Sequence, residues 1–310
     1  MTTTPARRLL LVHAHPDDET IGNGATMARY VSEGVGVTLV TCTLGEMGEV
    51  LVPELEHLLF ERDGGLGQHR IGELADAMKV LGVTDHRFLG GAGRFHDSGM
   101  SWAEDGSATV AADVQPNAFW LADLQVAADE LVPVIREVRP QVLVTYDDFG
   151  GYGHPDHVQA HRVATYAAAL AAVPSYRPDL GEAWDVAKHY WTAMSATWMR
   201  EGLRALRAAG DTTTFEGMDP DGPMPRMVAE DDALDAMVDG TAFVDAKLDA
   251  MRAHPTQIAV DGPFFALSNN VGSRAWGREF YRLAKGERGP VDPETGFESD
   301  LFAGLDVAAD

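Results

Sequence analysis

Cysteine is nearly absent: Cys42 is the single one in 310 residues. An intrachain disulfide is excluded, and so is a metal site built from several thiolates. The same scarcity suits a reducing compartment, and a cytoplasmic location is expected. Basic side chains are also scarce. Lys and Arg number 24 against 48 Asp and Glu, a formal net charge of -24. Such a surface repels phosphate backbones and anionic lipid, so neither nucleic acid nor membrane is an expected partner. Long apolar runs are missing too. The first, Leu9–Val12, is too short for a membrane span or a signal segment, and histidine and acids follow at once. What remains is a chain 45% hydrophobic and 23% charged, enough to bury a sizeable core around a site for a small neutral or cationic molecule.

Leu9–Val12 reads as a strand buried on both faces of a parallel sheet. A helix is expected from about Thr20 to Glu33, stopping at Gly34. A second strand follows over Val35–Leu44, a helix carrying Ile71, Leu74, Met78 and Leu81, and a third strand at Arg87–Leu89. Leu121, Leu124, Ala128, Leu131, Ile135 and Val138 step by three and four, the spacing of an amphipathic helix. Val142–Tyr146 is a fourth buried strand. Strands alternating with helices predict an α/β fold: a Rossmann-like, mostly parallel sheet flanked by helices. Residues 1–178 are expected to form this catalytic domain. Residues 179–310 are expected to form a smaller C-terminal α/β portion contributing to the substrate pocket. In it, strands are read within Trp184–Met194 and Ala233–Val238, and helices over Ala196–Ala209 and near Ala242–Ala253.

Ligands of open parallel sheets bind beyond the carboxyl ends of the strands. Two polar clusters fall at such ends. After the first strand comes His13-Ala-His15-Pro-Asp17-Asp18-Glu19. After the fourth comes Asp147-Asp148-Phe-Gly-Gly-Tyr152-Gly-His154-Pro-Asp156-His157. Topology brings together two clusters far apart in sequence, each rich in imidazole and carboxylate, the donors a catalytic Zn²⁺ takes. Only one of two adjacent aspartates need ligate. The other is then free to take a proton from an attacking water. Pro16 and Pro155 hold His15 and His154 extended.

These motifs identify the chain as resembling the PIG-L/LmbE-like zinc-dependent deacetylases, with a signature of HPDDE type after the first strand and HxxH type later. Within them it most resembles the branch that deacetylates N-acetylglucosaminyl-inositol in mycothiol biosynthesis. The supporting stretches include Thr41–Glu46, Arg70–Leu74, Gly90–Arg94, Asp97–Met100, Gly150–His157 and Leu267–Asn270. The resemblance implies His15, Asp18 and His157 as metal ligands for Zn²⁺, with Fe²⁺ the alternative. It implies Asp17 as general base, His154 and Tyr152 as polarising groups, and Asp156 as the carboxylate orienting His154. It implies Arg70, Asp97 and Glu49 as contacts to sugar and inositol hydroxyls. Met47 departs from the acid expected between Glu46 and Glu49. The implied reaction is hydrolysis of the N-acetyl amide with release of acetate. A mycothiol S-conjugate amidase, or a deacetylase of another amino-sugar, would share the same metal and base residues.

Other readings fit less well. A phospho-accepting receiver domain also holds a cation with acids after its first strand, but it needs no histidine beside them and is half this length. A non-haem iron oxygenase uses two histidines and a carboxylate, but leaves no task for Asp17. His13 is read as a supporting histidine and His161 as a helix neighbour of His157. His57, His69, His86, His189 and His254 are read as ordinary structural histidines, and Glu19 as needed neither for metal nor for base. Asn269 and Asn270 stand evenly between a pocket and a turn.

Overall fold

The computed structural model describes residues 6–104, 106–262 and 277–307. Asn269, Asn270 and the Leu267–Asn270 stretch lie outside the described residues. The N-terminal apolar run becomes β1 (Arg8–His13), a central strand. On one side it pairs in parallel with β2 (Gly36–Thr41), on the other with β6 (Val142–Thr145). The remaining strands are β3 (Asp85–Phe88), the two-residue hairpin strands β4 (Ser101–Trp102) and β5 (Ala108–Thr109), β7 (Lys188–Ser195), β8 (Val228–Ala229), β9 (Ala236–Asp239) and β10 (Arg278–Lys285). The helices are α1 (Asp18–Ser32), α2 (Leu66–Leu81), α3 (Leu124–Val138), the single turn α4 (Gly150–Gly153), α5 (Pro155–Ala171), α6 (Ala196–Ala208) and α7 (Val244–Arg252).

The main sheet runs β3-β2-β1-β6-β7-β10-β9, with β8 beside β7. Neighbours from β3 through β7 are parallel, and β10 is antiparallel to both β7 and β9. The sheet is thus mostly parallel, as expected, and it continues without interruption from β6 into strands of the C-terminal portion. Leu9, Leu10, Leu11 and Val12 are wholly buried because helices cover both faces. Alternation along the strand sends Leu9 and Leu11 toward Met27, Leu74 and Met78 of α1 and α2. It sends Leu10 and Val12 toward Leu131, Ile135 and Val163 of α3 and α5.

Helix ends are fixed locally. Asp123 caps α3, its carboxylate accepting from the backbone N–H of Gln125 and Val126 at 2.9 and 3.0 Å. Gly82 ends α2 at φ 76°, the left-handed stop that glycine adopts without a Cβ clash. The chain passes from β1 to β2 and β3 on one side, then crosses to β6 on the other. The resulting switch point opens a crevice between the carboxyl ends of β1 and β6, and both polar clusters lie there.

Candidate metal and catalytic site

Beyond β1 the chain runs through Ala14, His15, Pro16 and Asp17 into the first turn of α1. Asp18 and Glu19 occupy that turn, where acids suit the helix dipole. Beyond β6, Tyr146 leads into α4 and then α5, whose first helical residue is Pro155 and whose N-cap is His154. His15, His154, Asp156 and His157 are all buried.

Asp18 lies between two imidazoles. One carboxylate oxygen is 3.3 Å from His15 Nδ1 and the other 3.3 Å from His157 Nε2. The opposite edge of each ring is already committed. His157 Nδ1 lies 3.2 Å from the Gly150 carbonyl, a contact that places its proton on Nδ1. The buried His157 Nε2 then has a free lone pair and no hydrogen-bond partner among the described residues. His15 Nε2 faces Asp156 at 3.3 Å and Asp97 at 3.6 Å, leaving Nδ1 toward Asp18. Lone pairs of nitrogen and carboxylate aimed at one another repel unless a cation sits among them. The carboxylate behind His15 is the support that metal-binding histidines commonly have. The cluster is built to hold a metal ion. Two triads also have one donor atom per residue within 4.8 Å of each other, His15–His154–His157 and His15–Asp97–Asp156.

Without a cation, protons neutralise the same groups, and metal binding would release the one carried by His15. Burial opposes ionisation of Asp18, yet His157 and His15 hold its carboxyl well below the usual range. Burial likewise opposes a charged His15, but Asp97, Asp156 and Asp18 raise it well above 6.5. His154 moves the other way. Burial first, then the neighbouring His15 and His157, push it well below its ordinary value, so it is neutral. Its Nδ1 accepts from the Asp156 backbone N–H at 3.1 Å, which leaves the ring proton on Nε2.

Asp17 has φ 119° and ψ −33°, a conformation that side chains other than glycine rarely adopt. Its carboxylate meets Arg70 Nη2 at 3.2 Å. Arg70 is itself buried and also donates to the carbonyls of Gly45, at 2.8 Å, and Pro16. Burial pushes the Asp17 carboxyl up to about 6, with Asp18 adding to the rise and Arg70 restraining it. That places a proton acceptor near its useful range for catalysis at neutral pH.

Two loops close the site. Asp97 accepts from the backbone of Met47 at 3.1 Å and of Gly99 at 2.8 Å, and Glu46 accepts from the Asp97 N–H at 3.0 Å. Glu49 is exposed on the same loop, and its carbonyl receives the Gln257 side chain at 2.7 Å. Tyr152 sets its ring edge-on to His157 at 5.0 Å and near His154 at 6.1 Å, and burial raises its phenol, which stays protonated.

The sequence-derived set of His15, Asp17, Asp18, His154, Asp156 and His157 therefore converges, with Tyr152, Arg70 and Asp97 against it and Glu49 farther out on the rim. One detail differs from expectation. The Asp156 carboxylate faces His15 and accepts from the Ser98 backbone at 2.9 Å and from the Ser98 hydroxyl, while its main-chain N–H orients His154. Tyr146 was read only as a strand residue. Its hydroxyl donates to Asp18 at 2.7 Å and accepts from Ala14 N–H at 2.8 Å, and its ring stacks on His157 at 4.2 Å. Its place at the carboxyl end of a buried strand was the available signal. His161 turns to the Tyr146 carbonyl at 3.0 Å, and His13 bonds Asn23 at 3.0 Å behind the site.

Comparison with known proteins agrees with this architecture. The family model described as PIG-L, GlcNAc-PI de-N-acetylase, matches residues 10–168. The chain belongs to the PIG-L family. Among similar proteins, one from Nocardioides sp. is 71% identical over 96% of this chain and 99% of its own length. Another, from Kribbella flavida, is 67% identical over 98% of this chain and 100% of its own. Both are named 1D-myo-inositol 2-acetamido-2-deoxy-alpha-D-glucopyranoside deacetylase. The structure of N,N'-diacetylchitobiose deacetylase from Pyrococcus horikoshii superposes with a TM-score of 0.58 at 18% identity, covering 90% of this chain and 84% of that one. GalB, a 4-carboxy-2-hydroxymuconate hydratase from Pseudomonas putida, reaches 0.58 at 17% identity, covering 92% and 99%. At such identities these two structures speak for the fold alone. No described helix is long and apolar enough to cross a membrane.

Proposed function

We propose that the chain removes the N-acetyl group of 1D-myo-inositol 2-acetamido-2-deoxy-alpha-D-glucopyranoside, releasing acetate and the free amine, in mycothiol biosynthesis. The observation that carries this reading is Asp18 held between the His15 and His157 imidazoles with a second acid, Asp17, held beside them by Arg70. Near-full-length relatives bearing that name supply the substrate.

His15 Nδ1, a carboxylate oxygen of Asp18 and His157 Nε2 are the proposed ligands. His154 is set aside as a ligand because its Nδ1 is occupied and its Nε2 carries the proton. A divalent cation bound there, Zn²⁺ or Fe²⁺, supplies Lewis acidity for the acetyl carbonyl and the attacking water. Asp17 takes the proton of that water, with Arg70 holding its carboxylate in place. His154 Nε2–H and the Tyr152 hydroxyl donate to the oxyanion that develops on the carbonyl oxygen. The proton held by Asp17 then passes to the leaving amine. Arg70, Asp97 and Glu49 border the side where sugar and inositol hydroxyls would lie, and the 179–310 portion completes that wall.

The test incubates metal-loaded protein with this glucosaminide, a mycothiol S-conjugate and free N-acetylglucosamine, measuring acetate and new amine. Turnover of the first well above the others is expected. Preferential cleavage of the conjugate would instead make the chain an amidase with the same centre, and preference for the free sugar a more general amino-sugar deacetylase.

A further inference from the structure

Asp17 needs more than Arg70 to stay where it is. A non-glycine residue at φ 119° is strained and persists only where its surroundings over-determine it. The second restraint is on its backbone. The Asp17 N–H donates to Glu19 Oε2 at 3.0 Å. Glu19 is fully buried, and such a carboxylate must itself be satisfied. Its Oε1 accepts from the Thr20 hydroxyl at 2.7 Å and lies 3.5 Å from His254 Nε2, an ion-pair distance without a hydrogen bond.

His254 is also fully buried, and it follows α7, more than two hundred residues away in sequence. Its segment is anchored. Thr256 donates to Glu73 through its N–H at 3.1 Å and its hydroxyl at 2.7 Å. Glu73 stands one turn beyond Arg70 on α2. A closed ring results: Arg70 grips the Asp17 carboxylate, α2 carries Glu73 to Thr256, and the same segment returns through His254 and Glu19 to the Asp17 N–H.

We infer that His254 is a positioning residue for the catalytic base, acting through Glu19 to fix the conformation of Asp17. This rests on the proposed role of Asp17 as base. The experiment uses the metal-loaded full chain with His254→Ala, His254→Gln, Asp17→Asn and the double variant H254A/D17N. A base displaced by up to an ångström loses on the order of 10²-fold in rate. H254A should therefore lower kcat about 10- to 100-fold with KM within about twofold and metal content unchanged. H254Q, which keeps a polar side chain of similar reach facing Glu19, should recover most of that loss. In the D17N background, H254A should cost nothing further, because the group it positions is gone. Should H254A not fold, Glu19→Asp, which withdraws the acceptor from the Asp17 N–H, is read by the same criteria. A kcat unchanged in H254A, or an equal loss in both backgrounds, overturns the inference. Near-wild-type turnover by D17N alone would instead overturn the base assignment beneath it.

Discussion

Asp17→Asn should make the protein slower and more stable at once. In the fold the carboxyl rises from its ordinary 3.8 to about 6, chiefly through burial, with Arg70 opposing. A carboxylate whose folded value lies above its unfolded one binds protons more readily in the folded state. Its ionised form therefore penalises folding, fully above about pH 6 and not at all below about pH 4. The difference corresponds to about 3 kcal/mol at pH 7. An isosteric amide removes the charge and with it this penalty, in which the attraction of Arg70 is already counted. A net gain of up to about 3 kcal/mol in the metal-free protein is expected. The same substitution removes the proton acceptor, costing on the order of 10²–10⁴ in kcat. The assays are urea unfolding of metal-stripped protein at pH 7 and pH 4.5, and acetate release by metal-loaded protein. The stability gain should shrink at the lower pH, where the wild-type carboxyl is itself protonated. A D17N protein that is less stable at pH 7, or that retains metal and near-wild-type turnover, would refute the reasoning.

The wild-type kcat/KM should fall on the acid side with a limb at or below about pH 6, because a bound cation can only lower the value set for Asp17; a limb well above pH 7 would exclude this residue as the titrating base. Asp18→Ala and His157→Ala should each bind metal at least 10-fold more weakly, seen by competition with a chelating dye, and dialysis against chelator should abolish wild-type activity until Zn²⁺ or Fe²⁺ is restored. Tyr146→Phe removes the hydroxyl that bridges Asp18 and Ala14, and should weaken metal affinity while leaving the fold stable to within about 1–2 kcal/mol by denaturant titration. Gly150→Ala combines φ +70° with a new Cβ that would meet His157 Cβ at 2.7 Å, so it should cost about 1–2 kcal/mol or more and reduce metal binding; equal affinity and stability would show that the loop yields there.

The fold's parallel half was legible because β1, β2 and β6 are short apolar runs bounded by polar residues, and its helices carry apolar spacing of their own. Boundaries moved by a few residues: Gly36–Thr41 against Val35–Leu44, and Asp85–Phe88 against Arg87–Leu89. β10 was not anticipated. Its sequence, Arg-Glu-Phe-Tyr-Arg-Leu-Ala-Lys, mixes charges with apolar residues in no clear alternation. It is a strand because β7 and β9 flank it, and its Glu279 is neutralised by Lys247 at 2.6 Å.

By itself the sequence determined the chemistry available: histidines and paired acids beside prolines, at the ends of two buried strands, in a chain with a single cysteine. Local bonding dictates that much, since strand, turn and helix start are read over a few residues. Only the tertiary structure decided how each donor is spent. Asp156 turns to His15 and Ser98 because α5 docks beside the 96–98 loop, and Tyr146 reaches Asp18 because β6 lies next to β1. Glu19 and His254 meet in the interior because α1 packs against α7, which leads into His254. Such pairings join residues 58 positions apart for Ser98 and Asp156 and 128 for Asp18 and Tyr146, and no local pattern encodes them.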